Sequence, residues 1–394
     1  MKSKAVILVL FAAVAVGILF WKRSAQPDKK NSAEATAVAS PAKPAVEIPF
    51  AYSTEKKEWV EAAIAEFSLA HPEIKITPIG KGSIEASDAI LDGSLKPVIW
   101  SPADSLVLKL FDSDWRTKFG KAPFAEGDDA PQAALLSPLV FIAWEDRAKV
   151  LEVVGNGAIT WKSLHKAVSS NKGWPAVKGK ADWGFVKLGH TNPTRSNSGM
   201  QTLVLAALEF HGKTKGSDLK VEHVLKPDFQ KFLQELESGE TRFENSTGTF
   251  MTDMVRFGPS KYDVAVVYEN LAISQIANAQ GRWGNLRVYY PKLTLWNDHP
   301  IAILRAAWVT DEQAKAARQF VAFLHSRPVQ ERALQFGFRP AENSVPLKTA
   351  DPQNPFTRLA EFGIRAEVPP VADLPEAAVI RNLISLWTRQ RQAR

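Results

Sequence analysis

Phe185-Val186-Lys187-Leu188-Gly189-His190-Thr191-Asn192-Pro193-Thr194-Arg195-Ser196-Asn197-Ser198-Gly199-Met200-Gln201 is the stretch on which the fold turns. Phe185–Gly189 reads as a strand, and Pro193 with two asparagines breaks the chain into a loop. Ser198 followed three residues later by Gln201 has the form of a capping box, and Leu203 to Phe210 continues as an apolar helix. The unit is therefore a strand, a hydroxyl-rich turn and a helix start.

The same construction recurs. Val46, Ile48, Phe50 and Tyr52 alternate along a strand, Ser53-Thr54 follows, and Trp59, Ala63, Phe67 and Ala70 mark the buried face of a helix from Glu55. Ile74 and Ile76 form a second strand that ends at the turn Gly80-Lys81-Gly82-Ser83. Pro97–Trp100 is a short strand leading into Ser101-Pro102-Ala103-Asp104, which reads as Ser at the N-cap and Pro at the first helical position. Further strands are expected at 139–144, 263–268, 286–290 and 301–304, and helices at 311–325 and 328–336. Repeated strand–helix units imply an α/β protein, and about 350 folded residues exceed one comfortable core.

Composition narrows the class. The 394 residues are 45% hydrophobic and 23% charged, and they contain no cysteine, which removes disulfides, thiol nucleophiles and Cys-held zinc. The net charge of +7 is concentrated at the ends, with +5 in residues 1–45 and +4 in residues 381–394, leaving −2 for residues 46–380. No nucleic-acid groove is implied. Ala5–Trp21 is an uncharged run of 17 residues flanked by lysines and Arg23, readable as an uncleaved membrane anchor or a cleaved export signal. Residues 24–45 are an Ala/Pro/Ser/Lys-rich linker with a reach of roughly 25 Å.

Helix starts that follow strand ends carry free N–H groups and a partial positive charge, so several of them around one cleft would hold a polar or anionic ligand. Arg195 could pair with an oxyanion, and Tyr268-Glu269 lies at the end of a central strand. No G-x-S-x-G elbow and no Walker frame is present, and the seven histidines lack metal spacing, so no cofactor is expected. Val379, Ile380, Leu383, Ile384 and Trp387 form one face of a C-terminal amphipathic helix, expected to dock on the body.

The order of these motifs resembles bacterial extracellular solute-binding proteins of the type II periplasmic-binding fold, particularly those similar to molybdate/sulfate- and iron-binding members. The resemblance rests on Ser53-Thr54, Val98–Asp104, Leu139–Ala143, Asn192–Gly199 and Asp263–Tyr268. It implies a two-lobed α/β fold, with a first lobe (46–137 and 272–345) and a second lobe (138–271). The N-terminal membrane helix, an anchor or signal (1–23), and the linker (24–45) precede it, and a C-terminal extension with the amphipathic helix (346–394) follows, the anchor and the extension being departures from the family's pattern. Carried over by position, Ser53, Thr54, Ser101, Thr194, Ser196 and Tyr268 are the expected ligand contacts, with Ser83, Arg195, Ser198 and Glu269 as further candidates. The implied function is non-enzymatic capture of a small polar or anionic solute. The protein would lie in the cell envelope, anchored to the cytoplasmic membrane, with its bulk extracytoplasmic and a membrane transporter or other membrane complex as partner. Two rival readings are an anchored interaction protein that keeps the fold without transport, and a hydrolase using a Ser or His near 190–198.

Overall fold

The structure is a computed structural model and describes residues 45–392, apart from 240, 241 and 343. The expected anchor and linker lie outside the described residues. Among the described residues no helix is long and apolar enough to cross a membrane.

Among the described residues eleven strands form two sheets: β1 (Val46–Tyr52), β2 (Ile74–Gly80), β3 (Ile99–Ser101), β4 (Gln132–Ala133), β5 (Leu135–Trp144), β6 (Leu188–Gly189), β7 (Val264–Tyr268), β8 (Leu286–Tyr289), β9 (Trp296–Asn297), β10 (Pro300–Ile303) and β11 (Arg339–Pro340). The first sheet has the order β2-β1-β3-β10-β4, and the second has β11-β5-β7-β6 with β8 and β9 also pairing with β5. β1 runs parallel to both β2 and β3, the outcome expected of strand–helix–strand units. β5 is the axis of the second sheet. Its residues Leu139–Trp144 are all buried, and such an unbroken apolar run suits a strand covered on both faces.

The chain passes between the sheets twice. It leaves the first at Ala134, between β4 and β5, and returns at Asp298-His299, between β9 and β10. The two crossings lie antiparallel, with Ser137 opposite Asn297 and Ala133 opposite Pro300. The return at 272 expected from sequence thus comes later, because β8 and β9 complete the second sheet first, and β11 adds to that sheet as well. His299 holds φ of 40°, a left-handed conformation that a non-glycine residue adopts only where its surroundings fix it.

The helix Lys57–Ala70 buries Trp59, Ala63 and Phe67 as expected, whereas Ala70 is exposed. The next helix starts later than its sequence signal. Ser101 is the last residue of β3, and Asp104 caps Ser105–Phe119 by accepting from Leu106 N at 2.6 Å. The C-terminal helix Ala377–Gln392 docks on the second lobe through Val379, Ile380, Leu383, Leu386 and Trp387, and the Trp387 indole donates to Glu237 at 2.8 Å.

Candidate functional site

The ends of β1 and β3 bring the first group of polar residues together. Ser53 N donates to Ser101 O at 3.0 Å, so the two strands finish side by side. The short 3-10 turn Thr54–Lys56 then carries Lys56 inward, where it is 1% exposed. Its ammonium bonds to Ser53 Oγ, to Pro102 O at 3.1 Å, to His299 Nδ1 at 3.3 Å and to Glu55 at 3.5 Å. Burial alone would raise the Glu55 carboxyl, but Lys56 and His299 bring it down to about 2. Burial pulls the Lys56 ammonium down to about 8 against the attraction of Glu55, and burial with Lys56 alongside lowers His299. Ser83 Oγ accepts from Ala103 N at 3.0 Å and ties the start of the helix Ser83–Asp92 to the same cluster.

The second lobe answers with the helix Asn197–Phe210. Its N-cap is Ser196, so the capping box expected at Ser198 and Gln201 does not form. Ser198 instead bonds Thr191 and Thr247, each at 2.7 Å, and Ser196 bonds Thr247 at 3.4 Å. Asn197 donates to Asn297 Oδ1 at 2.8 Å and to the Tyr268 hydroxyl at 3.3 Å. Burial, and then the nearby Glu55, raise the Tyr268 phenol well above its ordinary value, so it stays protonated.

The two groups meet directly. Gln201 Nε2 donates across the lobes to Asp104 at 3.0 Å, and Asn270 Nδ2 donates to Glu55 O at 3.1 Å. A Cβ on Gly82 would stand 2.9 Å from Arg195 O and 3.0 Å from Asn245 O. The lobes are closed, and their facing surfaces form one buried polar seam. Beside the seam opens a groove of about 450 Å³ whose walls include Thr54, Trp59, Gly248, Thr249, Ser274 and Phe336.

Of the residues expected from sequence, Ser53, Ser83, Ser101, Ser196, Ser198 and Tyr268 are buried around this seam, and Thr54 lines the groove. Thr194 turns to Asn192, whose Oδ1 accepts from both its N–H and its hydroxyl. Arg195 exposes its side chain, and only its carbonyl takes part in the interlobe contact. Glu269 is a correction. It is fully buried on the far side of its strand end, paired with Arg339 at 2.7 and 2.8 Å and accepting from Tyr290. Sequence reading missed Lys56, Asp104, Asn197, Gln201 and His299. One signal was available: Asn197 and Gln201 are polar at four-residue spacing on a helix otherwise rich in buried apolar residues.

Two expected results follow from this geometry. A Cβ on Gly199 would lie 2.2 Å from Thr191 O, so Gly199→Ala must push the 190–199 loop off its helix. A loss of about 1–3 kcal/mol in urea denaturation is expected. Burial, with Asp298 close by, pushes the Asp104 carboxyl from 3.8 up to about 8. Between those two pH values the folded chain holds a proton that the unfolded chain has released, so Asp104 makes stability fall as pH rises through the window. Asp104→Asn should flatten that slope in denaturation curves taken at pH 5, 7 and 8.5, and an unchanged slope would place the carboxyl in water.

The comparisons agree with this architecture. The profile of the family described as bacterial extracellular solute-binding protein matches residues 48–339. Among curated proteins none matches the sequence. Among solved structures, the chain is similar to the sulfate-binding protein SubI from Mycobacterium tuberculosis H37Rv, at 15% identity over 86% of this chain and 96% of that one, with a TM-score of 0.55. It is also similar to iron-bound HitA from Pseudomonas aeruginosa, at 14% identity over 88% and 99%, with a TM-score of 0.55. A third is the periplasmic binding protein AfuA from Actinobacillus pleuropneumoniae with fructose-6-phosphate bound, at 14% identity over 88% and 97%, with a TM-score of 0.53. These likenesses are of fold, while the profile match spans most of the chain. The chain belongs to the bacterial extracellular solute-binding protein family.

Proposed function

We propose that the protein captures a small polar solute between its two lobes, outside the cytoplasm, and presents the closed form to a membrane transporter without acting chemically on the solute. The observation that carries this reading is the convergence of separate chain segments on one seam. Ser53, Ser83 and Asp104 come from one lobe, and Asn197, Ser198, Gln201 and Tyr268 from the other. A solute held by both faces binds the closed form more tightly than the open one, which is the condition for ligand-driven closure. The basic-flanked apolar run at 5–21 supports tethering to the cytoplasmic membrane.

The hydroxyl contacts support the non-enzymatic reading. Ser196 and Ser198 bond to hydroxyls, while His190 bonds to Glu237 and to the carbonyl of Thr191. Among these contacts no base addresses either serine. The test is calorimetry against a panel of small polar solutes, combined with small-angle X-ray scattering. Binding accompanied by a smaller radius of gyration is expected. A protein whose heat signal and radius respond to no member of the panel would instead be an anchored interaction protein that keeps the fold.

A further inference from the structure

The charge and hydrogen-bond balance of the seam are specific enough to name a class of solute. Three acidic side chains, Glu55, Asp104 and Asp298, stand around it against one buried ammonium, Lys56, with burial holding the proton on Asp104 up to about 8. Lys56 is fully engaged by Ser53, Glu55, Pro102 and His299 and has no donor left for a ligand. Arg195, the cation expected from sequence to meet an oxyanion, is exposed. Asp298 accepts from Ser105, leaving Asp104 as a buried carboxyl without an ion-pair partner. Lys109, exposed on the following helix, offsets its charge only in part. An anion entering here would meet more acidic groups than cations, at low dielectric where repulsion is strongest.

Two unpartnered atoms in the same place are acceptors, and a third, His299 Nε2, lies on the Lys56 side of the seam. Asn297 Nδ2 donates to Ser137 O at 3.1 Å, which fixes its Oδ1 toward Asn197 and makes the atom facing it the Asn197 amide nitrogen. Asn197 Oδ1 therefore has a settled orientation, and it is buried without a partner. Gln201 Oε1, one turn further along the same helix face, is likewise buried and unpartnered, while its amide nitrogen reaches Asp104. Buried acceptors without donors are costly and rare, and those in a native structure call for an explanation. A metal ion is a poor one, because among the described residues no cluster of three or more His, Cys, Asp or Glu side chains is placed to hold it.

Resting on the solute-binding reading above, we infer that the solute is a small organic amine whose ammonium is held by Asp104, Asn197 Oδ1 and Gln201 Oε1. Three N–H donors meet three acceptors, and on binding the Asp104 proton passes to solvent so that the ammonium pairs with the carboxylate left behind. The amine enters when the lobes part. On closure Asp104 contributes from the first lobe and Asn197 with Gln201 from the second, so the ammonium bridges the two faces.

The experiment is isothermal titration of the full chain and of Asp104→Asn and Gln201→Met. The titrants are short linear amines and diamines, diols and dicarboxylates of matching length, and chlorides of magnesium, calcium and iron. Asn is as good a helix N-cap as Asp, so Asp104→Asn keeps the helix, and circular dichroism checks both variants. We expect an amine to bind the wild type, and each variant to weaken it by about tenfold or more. Binding of a diol or dicarboxylate with no amine bound overturns the amine and leaves the solute-binding reading standing. Metal binding without amine binding overturns it in favour of an inorganic cation. Amine binding of equal strength in both variants overturns it by moving the site elsewhere. A wild type that binds no titrant takes down the solute reading as well.

Discussion

Arg339→Met is expected to lower stability by about 3–5 kcal/mol, because it leaves a carboxylate buried with no countercharge. Glu269 is 0% and Arg339 4% exposed, and the two are joined by paired bonds of 2.7 and 2.8 Å. The bidentate geometry is the strong form of a charge pair. The Arg339 guanidinium also donates to the carbonyls of Ala366 and Arg365, and its centre lies 5.2 Å from the Phe356 ring. One side chain thus fixes both the start of the helix Glu269–Ala279 and the C-terminal extension. The measurement is the urea midpoint of the variant against the wild type. The double variant Arg339→Met/Glu269→Met should recover much of the loss, since a buried pair replaced by apolar groups is far cheaper than one broken in half. A single-variant loss below about 1 kcal/mol would mean that the pair behaves as a solvent-screened surface bridge.

This pair also shows where sequence reading stops. The strands and their burial were legible because period and composition are local. β1 reads directly as an alternating strand, β7 and the part of β5 from Leu139 as apolar runs, and the helix face of Trp59, Ala63 and Phe67 follows from spacing alone. Which way a residue points at a strand–helix junction was not legible. Tyr268 and Glu269 are adjacent, yet one hydroxyl reaches Asn197 in the seam and the other carboxylate meets Arg339, 70 residues later in the chain. Caps were misplaced for a related reason. Ser101 stays in the sheet opposite Tyr52, so the cap passes to Asp104. Gln201 is drawn across the lobes to Asp104 instead of back to its own helix start. The helix Ser83–Asp92 buries a mixed face of Ser83, Ala86, Ser87 and Ile90, whereas Thr247–Phe257 buries Phe250, Met251, Met254 and Val255 at helical spacing, a stripe that was legible in sequence. Lys56 is the extreme case, since lysine in a first helical turn reads as a solvated residue and is here almost wholly buried.

Lys56→Met is therefore the second change with a large expected effect, about 3–5 kcal/mol at neutral pH, and its pH dependence separates the cause from mere loss of packing. In the wild type the ammonium and His299 hold Glu55 ionised inside the protein, with its carboxyl lowered to about 2. Without the ammonium, burial dominates and the Glu55 carboxyl rises above its ordinary value. A raised acid weakens the fold progressively as pH climbs through the gap between its unfolded and folded values. The deficit should accordingly shrink toward pH 4, where the variant's Glu55 can take up a proton, and grow toward pH 7. Methionine keeps most of the aliphatic stem, so the packing loss is small and independent of pH. The companion variant Lys56→Met/Glu55→Gln removes both charges and should restore most of the stability at pH 7. Urea denaturation at the two pH values decides the matter. A deficit equal at both, and unrelieved by the second substitution, would show that Lys56 stabilises the seam by filling space and not by its charge. Because the Asn270 amide bonds the backbone of Glu55 and not its side chain, the double variant should still close its lobes, giving the wild-type radius in scattering.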